Sequence, residues 1–230
     1  MISSIHQPNY IPYLWLFNKI YQSDVFVFYD NAQYTKWDYH NRNTIKWPNW
    51  PILLSLPVHV SLWQKINEVT FNNEILAKHW MTIEQAYKRA PFFWEYANII
   101  KRNIFENKEE NLAKFNINTI KFLCEILWIK TELLVLSEIM PNLESKSTQA
   151  LVDICLKINS DTYISWAWWK NYVEKELFRN NDIKLLFQDF KHPVYHQSWN
   201  DFIPYMSILD LIFNEWKESI NFIKQINTTP

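Results

Sequence analysis

No glycine occurs anywhere in the 230 residues, where ordinary usage of ~7% would place roughly 16. Glycine is the default wherever the backbone needs a positive φ, so other residues must occupy those places here. Cysteine is scarce. Cys124 and Cys155 stand alone with no CxxC spacing, which argues against a disulfide framework and for two reduced thiols within helices. No run of about 18 apolar residues exists, so nothing reads as a membrane span. The start, Met1-Ile2-Ser3-Ser4-Ile5-His6, lacks the basic opening and long apolar stretch of a signal peptide, which makes a cytoplasmic location the expectation. An excess of positive charge is missing too. Lys and Arg number 23 against 24 Asp and Glu, which gives nucleic acid no basic face to bind.

Tryptophan is abundant instead, with 13 residues, and its positions are informative. In Pro48-Asn49-Trp50-Pro51 it takes the second place of an Asn-Gly type hairpin turn. Trp128 and Trp216 each follow a helical run, where a glycine normally ends the helix. Trp63 lies in a turn-like stretch, and Trp166, Trp168 and Trp169 crowd a loop after a strand. Most of these tryptophans are therefore read as standing in for glycine, by design or by decoding of UGA. Trp80 and Trp94 sit inside helical patterns and read as genuine.

The remaining pattern alternates strands and helices. Ile2 to Ile5 is a short buried strand, Pro12 opens a helix to about Gln22, and Val25 to Tyr29 is a β-rich run. Thr44 to Trp47 and Ile52 to Val58 form a hairpin. Helices follow at Glu74 to Arg89, Pro91 to Glu106 and Glu110 to Leu127. Strands at Leu133 to Leu136, Thr162 to Ser165 and Ile183 to Phe187 then alternate with helices at Ser147 to Ile158 and Asn171 to Arg179, and a helical region spans Met206 to Ile226. This order predicts one α/β domain over 1–230 with an open, mostly parallel, Rossmann-like sheet, flanking helices and a helical insertion at about 74–128.

Open parallel sheets bind ligands beyond the carboxyl ends of their strands, which selects four loops. The first carries His6, Gln7, Asn9 and Tyr10 between a strand and a helix start, where an anion is favoured. The second carries Asp30, Gln33, Lys36, Asn41, Arg42, Asn43 and Lys46, and its guanidinium suits a carboxylate or phosphate. The third, Ser165 to Lys170, would cradle phosphate on backbone amides if glycines belong there. The fourth holds His192, Tyr195 and Gln197, and His192 is a candidate acid or base near neutral pH. The six histidines show no HExxH or paired spacing, so no metal site is expected. No GxSxG elbow is present, which argues against a serine hydrolase.

Several ordered segments carry a resemblance. They are His6-Gln7-Pro8-Asn9-Tyr10-Ile11-Pro12-Tyr13-Leu14-Trp15, Ser23-Asp24-Val25-Phe26-Val27, Asp30-Asn31-Ala32-Gln33-Tyr34, Asn41-Arg42-Asn43, Ile45-Lys46, Tyr87-Lys88-Arg89-Ala90-Pro91-Phe92-Phe93, Tyr163-Ile164-Ser165, His192-Pro193-Val194-Tyr195-His196-Gln197 and Ser207-Ile208-Leu209-Asp210. Together they resemble the WbqC-like family over nearly the whole chain, with tryptophan at Trp15 and after Ser165 where the family has glycine. The resemblance implies a bacterial protein of O-antigen and other surface-polysaccharide gene clusters, with transfer of glycine or another amine-bearing group to a sugar carboxylate as its suggested reaction. A weaker, fold-level likeness joins the first strand-helix-strand unit to adenylating enzymes such as pantothenate synthetases, which implies ATP with Mg²⁺ as cofactor. The residues themselves leave the cofactor open.

The expectation is an enzyme acting on a nucleotide-linked or lipid-linked sugar by acyl or aminoacyl transfer. His6 or His192 would handle protons, with Asp30 orienting a partner or Mg²⁺. Arg42 and Lys46 would hold anions, and the amides near Ser165 and Lys170 would hold phosphate. The alternative is a non-catalytic module that binds a sugar nucleotide or assists a neighbouring enzyme. Oligomeric state is left open.

Overall fold

The computed structural model describes residues 1–48, 50–199, 201–225 and 227–229, with side chains for all of these except 168, 169 and 227–229. The chain forms β1 (Ile2–His6), α1 (Leu14–Tyr21), β2 (Val25–Phe28), β3 (Arg42–Lys46), β4 (Pro51–Ser55), β5 (Val58–His59) and β6 (Thr70–Phe71). Three helices follow, α2 (Ile75–Tyr87), α3 (Phe93–Ile100) and α4 (Leu112–Ile126), with a π turn at Lys101–Phe105. Then come β7 (Glu132–Val135), α5 (Leu136–Ile139), α6 (Ser147–Lys157), β8 (Thr162–Trp166), α7 (Lys175–Arg179), β9 (Lys184–Asp189), α8 (Ile208–Glu215), α9 (Ser219–Lys224) and β10 (Asn227–Thr229).

The main sheet has the order β10-β9-β8-β1-β2-β7. Five strands are parallel and β10 pairs antiparallel at one edge. This is the open α/β architecture expected. Pairs β3-β4 and β5-β6 form separate two-stranded ribbons. The chain leaves β1 in one direction through α1 to β2 and β7, then returns on the other side of β1 to β8 and β9. Strand order therefore reverses at β1, next to β8.

Alternation along the strands separates two cores. Phe26 and Phe28 point to α1, the middle helices and α8, while Val25 and Val27 point to α6 and α7. The same parity runs through β1. Ser4 faces α1, donating to the Lys19 carbonyl, and Ser3 lies against Cys155 of α6. Their hydroxyls satisfy each other's neighbours, because Ser23 donates to Ser4 and Ser160 donates to Ser3, so a buried strand carries two serines without unpaired polar groups.

Ten described residues have positive φ, and five are tryptophan: Trp37 (75°), Trp63 (67°), Trp128 (55°), Trp199 (71°) and Trp216 (25°). Trp128 shows the cause. The Trp128 amide donates to Glu125 O at 3.1 Å and the Ile129 amide to Cys124 O at 2.9 Å, which is the Schellman closure that needs a left-handed residue. At the ends of α6 and α7 the same bond pattern is closed around Asn159 (56°) and Asp182 (55°), residues that tolerate this conformation. Trp63, Trp128 and Trp216 thus occupy glycine-type positions as expected, and Trp37 and Trp199 join them. Trp80 and Trp94 lie inside α2 and α3. Asn49, in the hairpin turn, lies outside the described residues.

Two of the segments read as helix differ from the sequence reading. The stretch read as a helix over 171–179 is a 3₁₀ turn at Ala167–Asn171 followed by the short α7. The last helical region breaks into α8 and α9 at Trp216, whose φ and ψ of 25° and −94° end the helix.

Candidate functional site

Backbone pairing explains where the sheet opens. β1 pairs with β8 only from Ile2-Thr162 to Ser4-Ile164, while it stays paired with β2 through His6-Phe28 and β8 stays paired with β9 through Trp166-Gln188. The two strands therefore part beyond Ser4 and Ile164. A cleft of about 530 Å³ lies there, lined by His6, Gln7, Asn9, Tyr13, Lys19, Tyr29, Gln33, Lys146, Ser147, Tyr163 and Ser165 among others. Its size suits a small-molecule ligand, and its place is the crevice where strand order reverses, as expected for open α/β sheets.

The wall after β1 is fixed by amides from distant segments. Asn43 donates to the carbonyls of Tyr10 (3.1 Å) and Ile11 (2.8 Å), and Asn116 of α4 donates to those of Pro8 (3.0 Å) and His40 (2.7 Å). His40 Nε2 donates to Gln7 Oε1 at 2.7 Å. These bonds hold a loop that turns through a positive φ at Ile11. His6 Nδ1 donates to the Gln7 carbonyl at 2.8 Å, and its ring meets Trp15 edge-on at 4.9 Å. Burial, with Lys19 beside it, pushes His6 down to about 3. At neutral pH it is an uncharged imidazole, suited to hydrogen bonding rather than to taking a proton. Asn9 is buried, and its Oδ1 has no partner among the described residues.

Lys19 was not singled out by the sequence reading. Its ammonium donates to the Ile5 carbonyl at 2.9 Å and lies 5.8 and 6.0 Å from the ring centres of Trp15 and Tyr163. Burial lowers it to about 7. Every residue from Leu14 to Ile20 is buried, yet Asn18, Lys19 and Gln22 have the spacing of an ordinary polar helix face, so the sequence alone carried no signal that this lysine is internal. Lys146 and Ser147, at the start of α6, were likewise not anticipated.

Of the predicted residues, His6, Gln7, Asn9, Gln33 and Ser165 come together in this cleft. The others go elsewhere. The Tyr10 hydroxyl donates to His79 Nδ1 at 2.7 Å within the core. Asn41 bonds Leu56 O and accepts from Tyr34, and so pins the β3-β4 ribbon. Lys36 and Arg42 lie against the Trp37 ring at 5.2 and 4.8 Å. Lys46 is buried and donates to Asp201 O at 2.6 Å. Lys170 lies 5.4 Å from the Phe187 ring in a different, smaller cavity of about 340 Å³, shared with Lys175, Arg179 and Lys184.

Asp30 is buried and accepts from three donors. Its Oδ1 accepts from the Ser137 amide, and its Oδ2 accepts from Ser137 Oγ (2.5 Å) and Asn67 Nδ2 (3.3 Å). A Mg²⁺ ion needs free carboxylate lone pairs beside open space for its waters; three donors already occupy Asp30, which is 3% exposed and does not line the cleft, so no step is routed through such an ion. Among the described residues no group of three His, Cys, Asp or Glu side chains is placed to hold a metal.

The fourth loop forms a separate buried cluster. Asp210 of α8 accepts from Tyr195 and from Gln197, each at 2.7 Å, and Gln197 also clasps Ile203 through both ends of its amide. Burial raises the Asp210 carboxyl to about 6 against the pull of these bonds. His192 sits in a ring of aromatic groups, Phe190, Tyr195, Phe202 and Tyr205, at 5.1 to 6.1 Å. Its neighbours Phe190 and Tyr205 meet the ring of Tyr13, which lines the cleft and stacks on Trp15.

The protein has relatives in sequence. The WbqC-like protein family matches residues 7–222. The uncharacterized protein Rv1507c of Mycobacterium tuberculosis (strain ATCC 25618 / H37Rv) is 32% identical over 225 residues, covering 96% of each chain. No solved structure matches. With the family pattern extending from the cleft loop after β1 to the last helix, the chain belongs to the WbqC-like protein family.

Proposed function

We propose that the cleft between β1 and β8 binds a nucleotide-linked or lipid-linked sugar and that the protein modifies it by acyl or aminoacyl transfer during cytoplasmic surface-polysaccharide synthesis. The observation that carries this reading is the cleft itself. It lies at the strand-order reversal, has the volume of a small-molecule site, and is lined by hydrogen-bonding groups held in place from behind. The unpartnered Asn9 Oδ1 and the amide of Gln7 suit sugar hydroxyls. Lys19, Lys146 and the start of α6 suit a phosphate or carboxylate. Amide formation needs the carboxylate activated first, and nucleotide-dependent activation is the version to test.

The test is ligand-induced melting with ATP and UDP-sugars, followed by assay of AMP or pyrophosphate release with glycine as amine. It should be run on the chain as given and on a variant with glycine at 15 and 166, because the Trp15 and Trp166 rings, 5.0 Å apart, both line the cleft. Turnover supports the enzyme. Binding without turnover in the glycine variant favours a non-catalytic sugar-nucleotide module. No shift with either ligand class defeats both.

A further inference from the structure

We propose that Lys19 is the oxyanion-binding residue of the cleft, its ammonium taking a phosphate or carboxylate group of the ligand where β1 and β8 part. This rests on the reading of that cleft as the ligand site and names the chemistry of one end of the ligand.

The backbone shows why a cation is stationed there. Ile2 O and His6 O accept from Asp24 N and Tyr29 N on the β2 side, so alternation turns the Ile5 carbonyl toward β8. β8 has already diverged, with pairing ending at Ser4-Ile164. The Lys19 ammonium fills the place of the lost strand partner, 2.9 Å from Ile5 O. An ammonium has three N–H donors, and that carbonyl accepts from one. Among the described residues no carboxylate lies within 4.0 Å of Lys19, although its side chain is only 2% exposed. A buried charge without a counter-ion is costly. A ligand oxyanion supplies the counter-ion and accepts from the remaining donors. The N-terminus of the 11-residue α6, with Lys146 and Ser147, opens on the same cavity and favours the same charge.

The groups facing Lys19 from the surrounding elements leave it as the proton-exchanging member near neutrality. His6 of β1 is held at about 3, and the Tyr163 and Tyr29 hydroxyls from β8 and the end of β2 are raised by burial. Asp38 and Lys146 line the outer walls. On the far side of α1, α9 brings Lys224 against Tyr21, not Lys19. Because burial lowers Lys19 to about 7 when no ligand is bound, an anion should bind together with a proton.

Sulfate and acetate test this, because neither changes charge between pH 6 and pH 8. Calorimetric titration at the two pH values should give sulfate or acetate binding roughly tenfold weaker at pH 8, since the charged fraction of a group near pH 7 falls from about nine-tenths to about one-tenth. Lys19→Met should abolish binding. Lys19→Arg should keep the pH 6 affinity and lose the pH dependence, and it decides the matter alone if the methionine variant fails to fold. Sulfate preferred over acetate identifies a phosphate end, and the reverse a carboxylate end. No binding of either anion by the unsubstituted chain at about 50 mM, or an undiminished pH dependence in Lys19→Arg, overturns the proposal. Anion binding as described, with no response to any sugar nucleotide, leaves Lys19 in this role and removes the sugar-modifying reading instead.

Discussion

Replacing the exposed left-handed tryptophans by glycine should stabilise the fold. Trp37, Trp63 and Trp128 have φ of 75°, 67° and 55° and side chains that are 72%, 79% and 59% exposed. A residue with a Cβ in this region costs roughly 1–2 kcal/mol. Glycine's greater freedom in the unfolded chain returns about 0.5–1 kcal/mol of that, and removing the rings also gives up the contacts of Trp37 with Lys36 and Arg42 and of Trp128 with Trp216, so a net ~0.5 kcal/mol per site is expected. The three sites lie in separate loops and should act additively. At about 2–4 °C per kcal/mol for a chain of this size, the triple variant should melt roughly 3–6 °C higher by calorimetry or circular dichroism. Trp94→Gly is the control, because Trp94 is also exposed but sits within α3, where glycine costs about 1 kcal/mol. An unchanged or lower midpoint in the triple variant, or a rise in the control, would refute the reasoning. Ordinary UGG codons at these positions would separately refute the decoding explanation for them.

Removing the amide of Asn116 should loosen the cleft wall. Asn116→Ala leaves two carbonyls without their donor and should cost about 1–3 kcal/mol, read as a lower denaturation midpoint. Asp210 carries a pH signature. Its folded value of about 6 lies above the usual 3.8, so the stability it contributes is present below pH 4 and is lost as pH rises to 6, on the order of 3 kcal/mol. Denaturation of Asp210→Asn between pH 4 and 6 should lack that slope, and an unchanged slope would place the titration elsewhere. His6 acts with the opposite sign. Held at about 3 against 6.5, it removes stability as pH falls from 6.5 toward 3, and His6→Leu should resist acid better than the unsubstituted chain over that range.

Much of the fold was legible in the residues. β2 is an apolar β-rich run stopped by Asp30, and α1 follows Pro12, so the first unit could be placed closely. β10 could not, because three short polar residues at an edge carry no alternation that distinguishes them from a helix tail. Strand order was likewise hidden, since it depends on which edge a returning chain joins. The candidate site was half legible. The rule that ligands sit beyond strand ends pointed to His6, Gln7, Asn9 and Ser165, and these do share a cleft. The same rule also drew in Asn41, Asn43 and Lys46, which hold backbone instead, because a polar side chain that clamps a carbonyl and one that awaits a ligand are the same letter in a sequence. Lys19 was passed over for the converse reason. Lysine on a helix usually faces water, and only the closed environment of α1 turns it inward. Trp63, Trp128 and Trp216 were read correctly as backbone markers because turn chemistry is local, whereas Trp166 lies within β8 without a positive φ and Trp37 and Trp199 were passed over.

Hydrogen exchange with and without a UDP-sugar tests the location of the site most directly. The cleft between β1 and β8 predicts slowed exchange in residues 5–13, 146–151 and 163–167 on binding. Protection confined to residues 170–187, around the smaller basic cavity, or to the loop at 190–206, would contradict it.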